Sequence, residues 1–251
     1  GEIPGYAENS GALAEAFRRS SDVGDVHFEN DAYPHAVFDV PADYEAYLAG
    51  LSVKERRNVR RDERELVKQG GTHHEPNSAH ELDAAFEQLT QLHRKQWVAR
   101  GRHGHFDDVP GAGAFHRDIA RKCLGSGRLA LVEVKTPAGT IASEYALRFN
   151  KRLHWIIGGR REDVTSRVGF CALMRVAVRK GVTLIDGLPG AYDYKRRLGA
   201  KSLSIKMISV SPRAGRGARR LSMTRAAVQF VSLVYHRAWF WHFAPWLARK
   251  A

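Results

Sequence analysis

Apolar residues recur along this chain with two different spacings, which predict helices in some stretches and strands in others. A helical spacing predicts one helix after the Val168-Gly169 turn that ends at Gly181, with an apolar face made of Phe170, Leu173, Met174, Ala177 and Val178. The same spacing predicts helices over 44–51, 52–68, 78–97 and 113–124. Each has one apolar face, as expected of helices that pack on a sheet.

Strand spacing dominates the middle of the chain. An apolar run over 128–134 predicts a central strand, and alternation over 140–149 and 153–157 predicts two partners joined by tight turns, which together make an antiparallel meander. The alternation places Glu144 beside two alanines on one face. It places Leu153, Trp155 and Ile157 together on one face of the next strand. Shorter runs predict strands over 35–40, 72–75, 182–185 and 201–210.

The order of these elements predicts the fold class and three regions. Residues 70–210 read strand, helix, helix, three strands, helix, strand, short helix, strand. We therefore expect an α/β (α+β) domain with a mixed, mostly antiparallel sheet and helices on both faces. Residues 1–69 are expected to be a connector with a basic helix, or else the end of a missing first domain. Residues 211–251 are expected to be a basic linker and an amphipathic helix.

Composition points to an anionic partner. The 251 residues include 40 basic and 27 acidic side chains, for a net charge of +13. Such a charge favours cofactor phosphates, nucleic acid or an acidic membrane surface, although a generally arginine-rich composition explains it equally well. The two cysteines lie in apolar helical patterns, which indicates reduced core residues.

A motif after the predicted helix resembles a known family. Its elements are a glycine before the helix and then Asp186, Gly190, Tyr194, Lys195 and Gly199. This pattern is similar to the GNAT superfamily of acyl-CoA transferases, and within it to the CelD-like branch of cellulose or exopolysaccharide biosynthesis. The element order matches that fold over about 70–210. The resemblance also extends to the Fem-type aminoacyl transferases, which pair two such domains; this chain would hold the second.

The resemblance implies acyl-CoA, acetyl-CoA above all, as a co-substrate without a metal, and a small-molecule or glycan amine as acceptor. A helix N-terminus offers free N–H groups and a positive dipole to a pyrophosphate. The expected cofactor-binding residues are Arg167, Val168, Gly169, Phe170 and Cys171. Their sequence departs from the usual loop of the superfamily at its first and last positions.

Candidate catalytic residues lie on or near the predicted strands. Glu144, His154 and Asp186 are candidates for the general base that takes the amine proton. Asp186 and Lys195 are expected to form an ion pair, structural or catalytic, across the 187–194 loop. Tyr194, or Tyr192, is a candidate to protonate the leaving thiolate.

Two further stretches leave alternatives open. The basic helix 54–68 is either a phosphate-binding surface, for RNA or lipid, or a solvated face with Arg60–Glu63 and Arg61–Glu65 pairs. The apolar 221–246 segment is interrupted by polar residues, so it indicates a membrane-surface or protein contact rather than a membrane span.

Three functions follow. The first is an acyl-CoA-dependent N-acyltransferase of envelope or exopolysaccharide metabolism, located in the cytoplasm, either free or peripheral to the inner membrane. The second is a Fem-like transferase that uses aminoacyl-tRNA, the one reading in which a nucleic acid is a partner. The third is a catalytically silent scaffold module with the GNAT fold at the membrane.

Overall fold

A computed structural model describes residues 23–102, 104–108, 110–189 and 193–212, with single positions near 15–19 and 223–234. Its strands are β1 (Val23–Asp39), β2 (Thr72–His74), β3 (Leu129–Thr136), β4 (Gly139–Phe149), β5 (Arg152–Arg160), β6 (Leu184–Pro189) and β7 (Lys201–Pro212). Its helices are α1 (Tyr44–Gly50), α2 (Val53–Lys68), α3 (Ala79–Val98), α4 (His105–Asp108), α5 (Ala112–Leu124), α6 (Ser166–Arg179) and α7 (Asp193–Arg197).

The chain divides into two compact units, residues 36–201 and residues 1–35 with 202–251. In the first unit the sheet order is β2-β3-β4-β5-β6, followed by the last residues of β1. In the second unit the remainder of β1 and β7 are neighbours. The β2–β3, β3–β4 and β4–β5 pairs are antiparallel, and β5–β6 is parallel. The predicted mixed, mostly antiparallel sheet is thus confirmed, including the placement of β6 beside β5.

Helices cover both faces of this sheet. On one face α1, α2 and α6 bury a core that includes Phe38, Tyr47, Val132 and Phe170. On the other face α3, α4 and α5 bury a second core that includes Phe86, Leu131, Tyr145 and Ile157. This arrangement is the one expected from helices that each have a single apolar face.

Helix starts follow the capping residues in the sequence. Ser52 accepts a hydrogen bond from the N–H of Glu55, and Ser78 from the N–H of Glu81. The predicted start of α6 is wrong, because the helix begins at Ser166 with Thr165 as its extended N-cap. Gly169 therefore lies inside the first turn of α6 and not before it.

A bulge changes the faces predicted for β5. Ala146 pairs with Trp155 and Tyr145 with Ile157, so Ile156 is an extra residue on β5. Trp155 consequently packs in the core under α6, whereas Ile157 packs in the core under α3. The prediction that these two side chains share one face is wrong, since strict alternation cannot reveal an inserted residue.

Two strands are longer than predicted. β1 begins at Val23, far before residue 35, in a stretch rich in polar residues. β6 continues through Asp186 and Gly187 to Pro189. Asp186 is therefore part of a buried strand and not of the loop that follows it.

Candidate active site

The parallel strands β5 and β6 part after a short region of pairing. Their register covers Arg152–Leu184, Leu153–Ile185 and His154–Asp186. β5 then continues to Arg160, while β6 stays close to β1, where a Cβ added at Gly187 would lie 2.9 Å from the carbonyl oxygen of Ala36. Beyond His154–Asp186 the two strands are no longer paired. We refer to the region between their carboxyl ends as the strand gap, and such a position is where open sheets hold ligands.

Glu144, on β4, is held in a slot beside this gap. Its Oε2 accepts a hydrogen bond of 2.7 Å from the Trp155 indole. A Cβ added at Gly158 or at Gly169 would lie 2.1 or 2.2 Å from the carboxylate oxygens. Both glycines therefore leave space for this carboxylate. Burial raises the pKa of Glu144 to about 8, although the Trp155 hydrogen bond and the charge of Arg160 lower it.

Lys195, on α7, also lies near Trp155. Its Nζ donates to the carbonyl oxygen of Gly187 over 2.7 Å and lies 5.8 Å from the centre of the indole ring. Burial lowers the pKa of Lys195 to about 8, and the charge of Asp186 opposes this shift. Trp155 is thus near both a carboxyl group and an amine whose pKa values are about 8.

Asp186 is buried at the point where the strands part. Its Oδ1 accepts from the N–H of Leu188 over 2.9 Å, and its Oδ2 lies 3.4 Å from Nδ1 of His154. Leu188 has a φ of 61°, in the left-handed region that costs a non-glycine residue about 1–3 kcal/mol. His154 precedes Trp155 on β5, so its side chain leaves the opposite face of the strand. Asp186 therefore lies beside His154 and its charge also acts on Lys195, whereas Glu144 is held by Trp155.

Two residues near Glu144 were missed from the sequence, Trp155 and Arg160. Burial and the charge of Arg100 lower the pKa of Arg160, whereas Glu144 and Tyr194 raise it. Arg160 is thus close enough to interact electrostatically with both Glu144, a predicted base, and Tyr194, a predicted acid. Tyr194 is half-buried against the core under α6, and Tyr192 lies outside the described residues. Two features of the sequence could have indicated a role in the site. Trp155 directly follows the candidate base His154, and Arg160 lies at the end of β5.

The start of α6, where cofactor phosphates were expected, is engaged by a carboxylate of this chain. Oδ2 of Asp62, on α2, accepts hydrogen bonds from Thr165 Oγ1 at 3.0 Å and Arg167 Nε at 2.8 Å. Glu55 lies 3.9 Å from the same guanidinium. The acidic side chains of α2 thus already neutralise the charge of Arg167, which a pyrophosphate bound here would need.

The other four predicted cofactor-binding residues lie in or beside the protein core. Phe170 and Cys171 are buried in the core, and burial raises the pKa of the Cys171 thiol to about 12. Gly169 faces Glu144, and Val168 packs at the edge of the same core. Val168 and Cys171 also line a cavity of about 140 Å³ between α2 and α6. Because α2 and not β6 forms its other wall, this cavity is separate from the gap between the strands.

Comparison with known protein families gives a match over residues 53–196, which is more than half of the chain, to the acetyltransferase (GNAT) domain family. The chain belongs to this family. The match begins at α2 and ends within α7, so it contains the strand gap and every residue predicted for the site. No curated protein matches the sequence.

Solved structures with the same fold extend the comparison. FemX superposes with a TM-score of 0.55 at 10% identity, over 80% of this chain and 67% of its own. L-PGS from Bacillus licheniformis gives 0.52 at 14% identity, over 86% and 68%. The C-terminal domain of a putative lysylphosphatidylglycerol synthetase from Agrobacterium fabrum gives 0.50 at 10%, over 83% and 66%. This GNAT chain spans about two thirds of the length of each.

Proposed function

We propose that this GNAT domain transfers an acyl group to an amine in the gap between β5 and β6, with Glu144 as the general base. The observation that carries the proposal is the buried carboxyl group of Glu144, whose pKa is raised to about 8 beside that gap. A base with a pKa near the working pH transfers protons most effectively. Perturbed ionisable groups in clefts are typical of functional sites.

The neighbouring groups suit the remaining steps. Attack of an amine on an acyl ester or thioester requires loss of an amine proton and protonation of the leaving group. Glu144 takes the proton, and Tyr194 or Lys195 is the group that returns one. A lysine with a pKa near 8 exchanges protons readily close to neutral pH. His154 and Asp186 orient the end of β6 from the other face.

Acyl-CoA is the first candidate donor, and the family supports it. The residues at the start of α6 do not fit its pyrophosphate as they stand, because Asp62 would face it with a like charge. We therefore derive no step through a pyrophosphate bound at Arg167–Cys171. An acyl-CoA donor would have to bind its phosphates at another surface, or displace Asp62.

An aminoacyl-tRNA is the second candidate donor, and Asp62 favours it. An aminoacyl ester has no pyrophosphate beside its reacting carbonyl, so a carboxylate at the start of α6 does not oppose it. The fold shared with FemX is consistent with the Fem-like reading of the sequence.

The acceptor and the location are further proposals. The resemblance to the CelD-like branch supports a glycan amine of envelope or exopolysaccharide metabolism as the acceptor. In the described part of the chain, no helix has both the length and the apolarity to cross a membrane. The predicted 221–246 helix lies mostly outside the described residues, but Val228, Phe230 and Val231 are exposed. These exposed apolar side chains support the proposal of a cytoplasmic protein that binds to the surface of the inner membrane. Flotation with anionic vesicles tests this, and equal flotation of Phe230→Asp would contradict it.

Thermal unfolding with each donor tests the choice between them. A ligand at 100 times its Kd stabilises the folded state by about 2.7 kcal/mol. Stabilisation by acetyl-CoA that increases in Asp62→Asn would support an acyl-CoA donor at α6. Stabilisation by an aminoacyl-tRNA alone, unchanged in Asp62→Asn, would support the second candidate. Glu45→Gln, which removes an exposed carboxylate that contacts Arg60 of α2, is the control.

A further inference from the structure

Five basic residues form one continuous stripe along α2. Counted at 100° per residue, they fall within about 80° of arc and extend for about 21 Å along the helix. All five side chains are exposed: Lys54, Arg57, Arg61, Arg64 and Lys68. Lys54, Arg57, Arg64 and Lys68 have no ion-pair partner within the residues that the structure describes. Arg61 contacts its neighbour Asp62 over 3.4 Å.

Three of the four carboxylates of α2 are engaged on the side of the helix that faces the core or α6, so they balance this stripe little. Asp62 binds Arg167, and Glu63 binds Arg175 over 2.6 Å. Glu55 is buried. The predicted pair of Arg61 with Glu65 is not formed, since Glu65 accepts a hydrogen bond from Gln69. The arginines of α6 thus neutralise the inner face of α2, and the outer face keeps its positive charge.

The stripe is narrow, and this shape distinguishes its possible partners. On one side Arg60 is paired with the exposed Glu45. On the other side lies the exposed Glu65. A flat anionic surface would meet these carboxylates together with the stripe. A single row of phosphates would meet the stripe alone. Arginine, which supplies three of the five cations, also binds phosphate oxygens through two parallel hydrogen bonds.

We propose that the stripe on α2 binds the phosphodiester backbone of a nucleic-acid strand. In a strand with duplex-like stacking the axial rise is about 3.4 Å per phosphate, so a length of about 21 Å corresponds to roughly six phosphates, comparable to the five cations of the stripe. Contacts of this kind recognise the backbone and carry no sequence preference. The proposal does not depend on which donor the transferase uses.

Fluorescence anisotropy with a labelled 20-nucleotide RNA tests this surface. The test variant is Lys54→Gln/Arg57→Gln/Arg64→Gln in the full chain. The control is Lys95→Gln/Lys122→Gln/Arg128→Gln, which removes the same number of exposed charges from other parts of the structure. Each phosphate contact contributes about 0.7 to the salt dependence of binding to a single strand. We therefore expect the test variant to bind at least tenfold more weakly at low salt, with a slope smaller by about 2.

Three outcomes overturn the proposal. The first is an equal loss in the control, because net charge alone would then explain binding. The second is RNA binding unchanged in the test variant. The third is a stripe-dependent loss of binding to vesicles of anionic phospholipid without any loss for RNA, which would assign the stripe to a membrane. A DNA strand of the same length is expected to bind with the same dependence on the stripe.

Discussion

The buried carboxyl group of Glu144 makes the stability of this protein depend on pH. In the folded state its pKa is about 8, against 4.5 in the unfolded chain. Below pH 4.5 both states hold the proton and the folded state has no disadvantage. As pH rises from 4.5 to 8 the unfolded state ionises first, so the free energy of unfolding falls. The 3.5-unit difference corresponds to about 5 kcal/mol at most.

Glu144→Gln should remove this pH dependence. The amide is close to the size of the carboxyl group, and its oxygen still accepts the Trp155 hydrogen bond. We expect the variant to be more stable than the wild type at pH 9 by several kcal/mol, and to match it within about 1 kcal/mol at pH 5. At about 2–4 °C per kcal/mol, the melting temperature at pH 9 should rise by about 10 °C.

Thermal unfolding followed by circular dichroism at pH 5, 7 and 9 is the assay. The control is Glu133→Gln, on the neighbouring strand, where the buried carboxylate is paired with Lys135 over 2.8 Å. Removing one partner of such a pair should destabilise the protein at pH 7 and at pH 9. The reasoning is refuted if Glu144→Gln is no more stable than the wild type at pH 9.

Three further predictions follow from the same region. Gly169→Ala should destabilise the fold by about 1–3 kcal/mol, because the added methyl group would meet Glu144, although alanine has the better helix propensity. Gly113→Ala, where an added methyl group has nothing within 4 Å, should stabilise the fold by up to about 1 kcal/mol. Equal denaturation midpoints for the two variants would contradict this. Lys195→Met should lower turnover at least tenfold and also lower the melting temperature, because its bond to Gly187 is buried; unchanged values would remove Lys195 from the site. Leu188→Gly should relieve the left-handed strain yet disturb the gap, so a variant that is more stable and less active is expected.

The pattern of apolar residues was sufficient to predict the order of elements in the GNAT domain. Spacing and capping residues placed α2, α3 and α5 nearly to the residue, and apolar runs and alternation placed β3 to β6. The bulge at Ile156 could not be predicted, because an inserted residue leaves the sequence pattern unchanged, although it places Ile157 on the face opposite Leu153 and Trp155. The hydrogen bond from Trp155 on β5 to Glu144 on β4 was not anticipated either.

Several residues that the sequence predicted for the site make contacts in the structure that differ from those expected. Gly169 was expected to bind phosphate, and the structure instead gives it contact with Glu144. Asp186 and Lys195 were expected to form an ion pair across the 187–194 loop. In the structure both residues are about 95% buried, and Lys195 bonds to the carbonyl of Gly187. Contacts between α2 and α6, such as that of Asp62 with Arg167, join residues 105 positions apart, and local spacing does not predict them.

The pH dependence of kcat/KM for acyl transfer to an amine, measured for the wild type and for Glu144→Gln with the donor identified by thermal unfolding, tests the central claim most directly. The wild type should gain activity as pH rises through about 8, where Glu144 loses its proton. The variant should be at least a hundredfold slower and lack that rise, although it is the more stable protein. Turnover by Glu144→Gln close to that of the wild type would contradict the account and move the search for the base to His154 and Asp186.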